Sequence, residues 1–184
     1  MPDPLTVAFV PGVTPGKWER TWRERRPRGR LDLVPMTQDA ALAALADGSV
    51  HMALARDTAA DDHRHAIQLY REAAVVVAPK GSLVAGVGAL SLDELAGIDE
   101  VTVLPVDLHG GTGEDAVELV AANVGVAVMP QSVARAHSRK DVVARPLSGA
   151  PETGIALVWP RTNPHPLCDE FIGIVRGRTA NSSR

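Results

Sequence analysis

The stretch AVELVAANVGVAVMPQSVA, residues 116–134, constrains this chain more than any other. Val117, Val120 and Ala121 recur at three and four residues, the apolar face of a helix. Asn123 follows, the residue after glycine best able to take the left-handed conformation that ends a helix. Residues 124–129, VGVAVM, form an unbroken apolar run of the kind a strand buried on both faces shows. Pro130 stops the ladder because proline has no N–H to donate. Residues 131–138 read as a second helix. A strand running straight into a helix sets free helical N–H groups beside the strand's carboxyl end, where open α/β sheets bind ligands. Alone, the same pattern also describes one helix–strand–helix unit of an ordinary core.

The rest of the chain is consistent with a globular α/β protein. Its 184 residues suffice for one domain or two small lobes. Apolar residues make up 45% and charged residues 22%, ordinary globular values. Aromatics are only 3%, so the core must be aliphatic. A net charge of −3 argues against nucleic-acid binding through overall charge. The single cysteine, Cys168, excludes an intrachain disulfide and fits a reducing compartment. It adjoins Leu167 in an amphipathic segment, which favours burial over catalysis. The start, MPDPLTVAFVPG, lacks the basic region and long apolar run of a signal peptide, and no stretch approaches membrane-span length. The expectation is a cytoplasmic protein.

In chain order, LTVAFV reads as a first strand. Thr14 is then expected as a helix cap, with Pro15 at the first helical position. Trp18 and Trp22 lie one turn apart on that helix. Arg20, Arg23, Arg25, Arg26, Arg28 and Arg30 form a basic cluster diluted by Glu19 and Glu24, which reads as a solvated face rather than a nucleic-acid contact. LDLVP is a second strand. Thr37 is expected to cap TQDAALAALADG, and HMALA is a short strand. The polar loop DTAADDHRH offers Asp61, Asp62, His63 and His65, metal ligands by type, yet no distant cluster completes a tetrahedral set, so no metal is expected.

Residues 66–70 and 73–78 read as two more strands, and the Gly-rich stretch 79–88 as a linker. GVGALS lacks the third glycine and the preceding strand of a dinucleotide fingerprint and is set aside. SLDE forms a capping box from Ser91 to Glu94, and residues 101–105 a strand. In HGGTG the backbone N–H groups could hold an anion, with Thr112 and Asp115 as a second capping box. DVVARPL and GIALVW are strands, residues 166–176 a closing helix, and GRTANSSR a polar tail. Strands alternating with helices predict a largely parallel sheet. No nucleophile–base pair, cofactor fingerprint or metal set is visible, so neither catalysis nor a cofactor is expected.

In this order, the segments LTVAFV, LDLVP, LAALADGSVHMALA, AVVVAP, SLDELAG, ELVAANVGVAVMP, VARPL and IALVWP resemble the effector-binding (substrate-binding) domain of LysR-type transcriptional regulators. The resemblance covers nearly the whole chain. It implies the α/β type 2 periplasmic-binding-protein fold: two lobes with mostly parallel sheets, lobe I from residues 5–80 and 150–184 and lobe II from 81–149. Asn123 stands where the family usually has glycine. The segment between Leu95 and Val117 is short for the family, so lobe II is expected to be shortened by a helix and a strand.

The resemblance also implies a small-molecule, anionic effector held between the lobes. Carried over by motif, its contacts are Thr14, Pro15, Gly16 and Lys17 after the first strand, and Arg56 and Asp57 after HMALA. Thr112 and Gly113, and then Met129, Pro130 and Gln131, complete the set. Lys17 and Arg56 suit a carboxylate, and Met129 an apolar wall. The chain begins where the effector domain begins, without a winged helix-turn-helix. The expectation is therefore a stand-alone sensor in transcription regulation, acting through a partner rather than by direct DNA binding. The alternative is a dimerising interaction protein with a degenerate cleft, pairing with itself or with a full-length LysR-type regulator.

Overall fold

A computed structural model of the chain describes residues 3–177. The polar tail expected at the carboxyl end lies, after Gly177, outside the described residues. The chain divides into two compact units. One comprises the chain up to Tyr70 and again from Gly154, and the other runs Arg71–Thr153. Among the described residues no helix is long and apolar enough to cross a membrane.

The first unit is built on five strands: β1 (Leu5–Phe9), β2 (Leu31–Pro35), β3 (Met52–Arg56), β4 (Arg64–Glu72) and β10 (Thr153–Pro160). Their order is β2-β1-β3-β10-β4. β1 runs parallel to β2 and β3, but β10 is antiparallel to β3, so the sheet is mixed where a mostly parallel one was expected. The reason is topological: β10 returns from the second unit rather than through a crossover helix, which alone would enforce parallel pairing. The central strand β3 is buried at every position, as its run MALAR with one charge at the end anticipates.

Two helices of this unit, α1 (Gly16–Arg25) and α7 (Cys168–Val175), pack through a tilted Trp22–Phe171 pair at 6.0 Å. The Trp22 indole N–H donates to the Gly29 carbonyl at 2.9 Å, satisfying its one polar atom. Between β2 and β3, α2 (Gln38–Asp47) buries Ala41 and Leu45 and ends at Gly48 with φ +81°. Burial pushes the Cys168 thiol up to about 11, so it is protonated and inert at neutral pH.

The second unit holds β5 (Ala74–Pro79), β6 (Leu90–Ser91), β7 (Val103–Leu104), β8 (Val126–Pro130) and β9 (Val142–Ser148), ordered β6-β9-β5-β8-β7. β5 is antiparallel to both neighbours, again a mixed sheet. The edge strands of this sheet, β6 and β7, are of two residues each. The sheet still has five strands, as the first has. Along β5 the side chains alternate. Val75 and Val77 join one buried cluster with Val117, Val120 and Met129, while Val76 and Ala78 join another with Val84, Leu95 and Leu147. The unit's core is thus two thin layers, one on each face of the sheet.

β5 was expected in the first lobe, with the crossing in the Gly-rich stretch 79–88. The chain instead passes between units at 70/71 and 153/154. Glycines in 79–88 mark turns rather than a border. Ser82 caps the single-turn helix α3 (Leu83–Gly86) by accepting from the Ala85 N–H, and Val84 is buried. The SLDE capping box opens α4 (Leu92–Ala96) with both reciprocal bonds present.

The organising stretch folds as read. α5 (Glu114–Ala121) ends at Asn123, φ +61°, and the Val124 N–H returns to the Leu119 carbonyl at 3.0 Å. β8 then leads directly into α6 (Gln131–Ala136). Gly125, inside the apolar run, is required by close approach, because a Cβ there would stand 2.3 Å from the Thr102 carbonyl oxygen.

Candidate functional site

In the first unit, β1 and β3 are parallel neighbours, so the loops at their carboxyl ends emerge on one edge. That register brings residues 14–17 and residues 56–57 to the same end of the sheet. The two loops are joined directly, since the Arg56 guanidinium donates from Nη2 to the Pro11 carbonyl at 3.1 Å. Arg56 is only 8% exposed, so part of its role is to hold the β1 loop. Asp57 is exposed with φ +44°. Its carboxylate accepts from the Gly154 N–H at 2.6 Å while its own N–H donates to the Gly154 carbonyl at 2.8 Å. Asp57 therefore pins β10 against the end of β3.

The expected cap at Thr14 is absent. Pro15 occupies the N-cap in right-handed conformation, and its carbonyl takes the N–H groups of Trp18 and Glu19. Thr14 and Gly16 are left exposed at the helix start and Pro15 is buried. Lys17, also exposed, holds its ammonium 4.8 Å from the Trp18 ring centroid. Thr37 likewise makes no side-chain cap. The next residue, Gln38, does the polar work instead. Buried beside Arg56, it accepts from the Arg56 N–H (2.9 Å) and donates to the Arg56 carbonyl (2.7 Å) and the Thr58 hydroxyl (3.1 Å). Gln38 and Thr58 were not anticipated. The only signal for them was two polar residues at positions that β3 and α2 bury.

In the second unit, β7 and β8 are also parallel neighbours, and the chain after β7 brings Gly113 against Val133 of α6, the helix that follows β8. Gly113 is the N-cap of α5 with φ +82°, and a Cβ there would meet Leu108 and Val133, each at 3.1 Å. The expected capping box is not formed. The Thr112 hydroxyl accepts from the Glu114 N–H two residues on, at 3.3 Å, because the left-handed Gly113 starts the helix itself. Asp107 fills the loop's anion cradle, its carboxylate accepting from the N–H groups of His109 and Gly110.

Met129 and Pro130 are buried and border a pocket of about 200 Å³ within this unit, walled also by Val106, Leu108 and Val128. Gln131 gives its N–H to the Ala73 carbonyl, and the neighbouring Ser132 hydroxyl donates to Glu72.

The polar loop before β4 is ordered by its own contacts. Asp61 accepts from the N–H groups of His63 and Arg64 and pairs with the Arg64 guanidinium at 2.9 Å. These donors hold its carboxyl below the usual carboxylate range. No three of the described His, Cys, Asp and Glu residues stand together as metal ligands. In the basic cluster, Arg23, Arg26 and Arg30 pair with Glu19, Glu170 and Asp32.

A family model described as the LysR substrate binding domain matches residues 4–109 and 101–180. Among solved structures, the chain is similar to a mutant OxyR regulatory domain from Pseudomonas aeruginosa, at 17% identity and TM-score 0.74, over 96% of this chain and 97% of that one. It is similar to the BenM effector binding domain with its effector benzoate, at 18% identity and TM-score 0.75, over 94% and 90%. A full-length BenM mutant matches at 17% identity and TM-score 0.76, over 96% of this chain and 69% of that one. At these identities the likeness is one of fold. No curated protein matches the sequence.

Proposed function

The chain belongs to the LysR substrate binding domain family, and from that premise we propose that it senses a small carboxylate. The first unit contributes Thr14, Pro15, Gly16, Lys17, Arg56 and Asp57, and the second contributes Thr112, Gly113, Met129, Pro130 and Gln131. Domains of this family sense ligands in transcription regulation and are not enzymes. The reading rests most on one observation: two parallel strands deliver an exposed threonine hydroxyl, an exposed lysine and the arginine-held β1 loop to one edge. Exposed hydroxyl and ammonium donors suit a carboxylate, whose charge strengthens each hydrogen bond. Occupancy then shifts the population of the domain's conformations and is passed to a partner that contacts DNA.

The test is thermal unfolding against small carboxylates, with benzoate, the effector of the similar BenM domain, among them. A ligand at about a hundred times its dissociation constant adds roughly 2.7 kcal/mol, a rise of several degrees. Thr14→Val with Lys17→Gln, both at exposed positions, is expected to abolish that rise while leaving the ligand-free midpoint in place. An unchanged rise in the double variant removes these residues from the site. A panel with no rise at all removes the reading.

A further inference from the structure

The first unit carries a groove of about 480 Å³ that the carboxylate site does not use. It lies wholly within that unit, beside the last turns of α2. Leu42, Leu45 and Ala46 form its helix wall, and the loop of residues 61–64 faces them with Pro160. Strand register places it at the other end of the sheet from Thr14 and Lys17. β3 runs parallel to β1, and β10 antiparallel to β3, with Ile155 opposite Arg56 and Val158 opposite Ala53. Pro160 therefore sits at the amino end of β3, while Arg56 and the β1 loop sit at the carboxyl end. A volume of this size suits a small molecule.

The rim is held by its own contacts. The Arg161 N–H donates to the His63 carbonyl at 2.9 Å, and its guanidinium Nε–H to the Asp61 carbonyl at 2.6 Å. The Asp61 carboxylate is engaged at both oxygens: Oδ1 accepts from the N–H groups of His63 and Arg64, and Oδ2 pairs with Arg64 Nη2. One donor is left over. The Arg64 Nε–H is buried and meets no acceptor among the described residues. Asp62 adds an exposed carboxylate to the same rim.

These groups define the chemistry of an occupant. A buried N–H without an acceptor is a lost hydrogen bond, which a ligand oxygen restores. The Arg64 side chain borders the groove and is 32% exposed, so rotation about its outer bonds turns the Nε–H toward an entering oxygen. An anionic oxygen is opposed by the like charges of Asp61 and Asp62. A cation suits those carboxylates but gives Arg64 no acceptor. A neutral group with an acceptor beside a donor meets both demands, and a carboxamide is such a group. Leu42, Leu45 and Pro160 cover the apolar part attached to it.

We propose that this groove is a binding site for a small neutral amide, whose carbonyl accepts from Arg64 and whose N–H donates to Asp62. The site is separate from the carboxylate site and does not depend on it.

The experiment uses the full chain with labelled Leu methyls and labelled arginine Nε–H groups. Three probes share one shape and differ in charge: benzamide is neutral, benzoate anionic and benzamidinium cationic. Benzamide is expected to shift the methyl signals of Leu42 and Leu45 and to move the Arg64 Nε–H signal downfield, as a new hydrogen bond does. At the same concentration benzoate and benzamidinium are expected to shift them far less. Arg64→Lys keeps a positive charge beside Asp61 but removes the Nε–H, and is expected to weaken benzamide binding about tenfold. Ala46→Trp, at an exposed position on the helix wall, fills the groove and is expected to abolish the shifts. Thr14→Val with Lys17→Gln is expected to leave them in place. Absence of shifts with benzamide overturns the inference. So do equal shifts with all three probes, unchanged affinity in Arg64→Lys, or shifts that survive in a folded Ala46→Trp protein. Loss of the benzamide shifts in the Thr14 and Lys17 double variant would merge the two sites and overturn it as well. The sensor reading stands or falls on the carboxylate melting test alone, whichever way the benzamide signals move.

Discussion

The two units carry the same number of strands in mixed sheets, yet they solve packing and polarity in opposite ways. The first holds every aromatic residue and all three buried polar side chains found among the described residues, Gln38, Arg56 and Thr58. Large rings fill its core, and a hydrogen-bonded polar network fixes the loop after β1. The second is aliphatic throughout, and it depends on close backbone approach and on small side chains in register on two faces. The difference also gives an experimental handle, because tryptophan fluorescence reports on the first unit alone.

The comparison breaks most readily at Trp22. Its side chain is 2% exposed, packs on Phe171 and satisfies its N–H on Gly29. Trp22→Ala is expected to cost about 3–5 kcal/mol. Hydrogen exchange should accelerate in β1, β3 and α7 while β5 and β8 keep their protection. Equal acceleration in both sheets would show that the units share one cooperative core.

A smaller loss is expected for Gly125→Ala in the second unit, since the added Cβ would stand 2.3 Å from a backbone oxygen that cannot rotate away. Overpacking of this kind costs about 1–3 kcal/mol. The loss should appear as faster exchange in β7 and β8, with the fluorescence-detected midpoint unmoved. A fall in that midpoint would tie the second unit's edge to the first unit's stability.

The smallest effect sharpens the contrast through pH. In the first unit the His51 and His165 rings lie 4.3 Å apart, and each Nδ1 accepts a backbone N–H, from Thr6 and Leu167 respectively. Burial first, and then the neighbouring His165, lower the His51 value from its usual 6.5, with Asp3 opposing them. The folded state therefore disfavours the imidazolium. The unfolded chain takes up the proton first as pH falls, so the stability that neutral His51 contributes is complete above about 6.5 and declines below it. Fluorescence-detected midpoints from pH 7.5 to 5 should fall, and His165→Asn should flatten the slope. A slope unchanged in that variant would remove the pair as its source.

Much of this was legible locally. The helix, Asn123 turn, strand and helix of residues 114–136 follow from period, a left-handed-tolerant residue and a proline. The reciprocal SLDE box formed because both of its bonds lie within four residues. Lone threonines did not behave as caps. At Thr14 the following Pro15 took the N-cap, and at Thr112 the left-handed Gly113 did. Each outcome depended on the conformation of a neighbour rather than on the residue type.

Sequence by itself therefore determined the elements and the aliphatic character of residues 71–153, because these depend on short-range period and composition, while the two-unit α/β family came from the resemblance of its ordered segments to LysR-type effector-binding domains. Tertiary structure alone decided that β5 belongs to the second sheet, that both sheets are mixed, and that Arg56 is held by Gln38 while Asp107 fills the loop it precedes. Those outcomes come from strand pairing and buried hydrogen bonds between residues such as Arg56 and Pro11, 45 positions apart. No local pattern encodes which distant backbone group a side chain will meet.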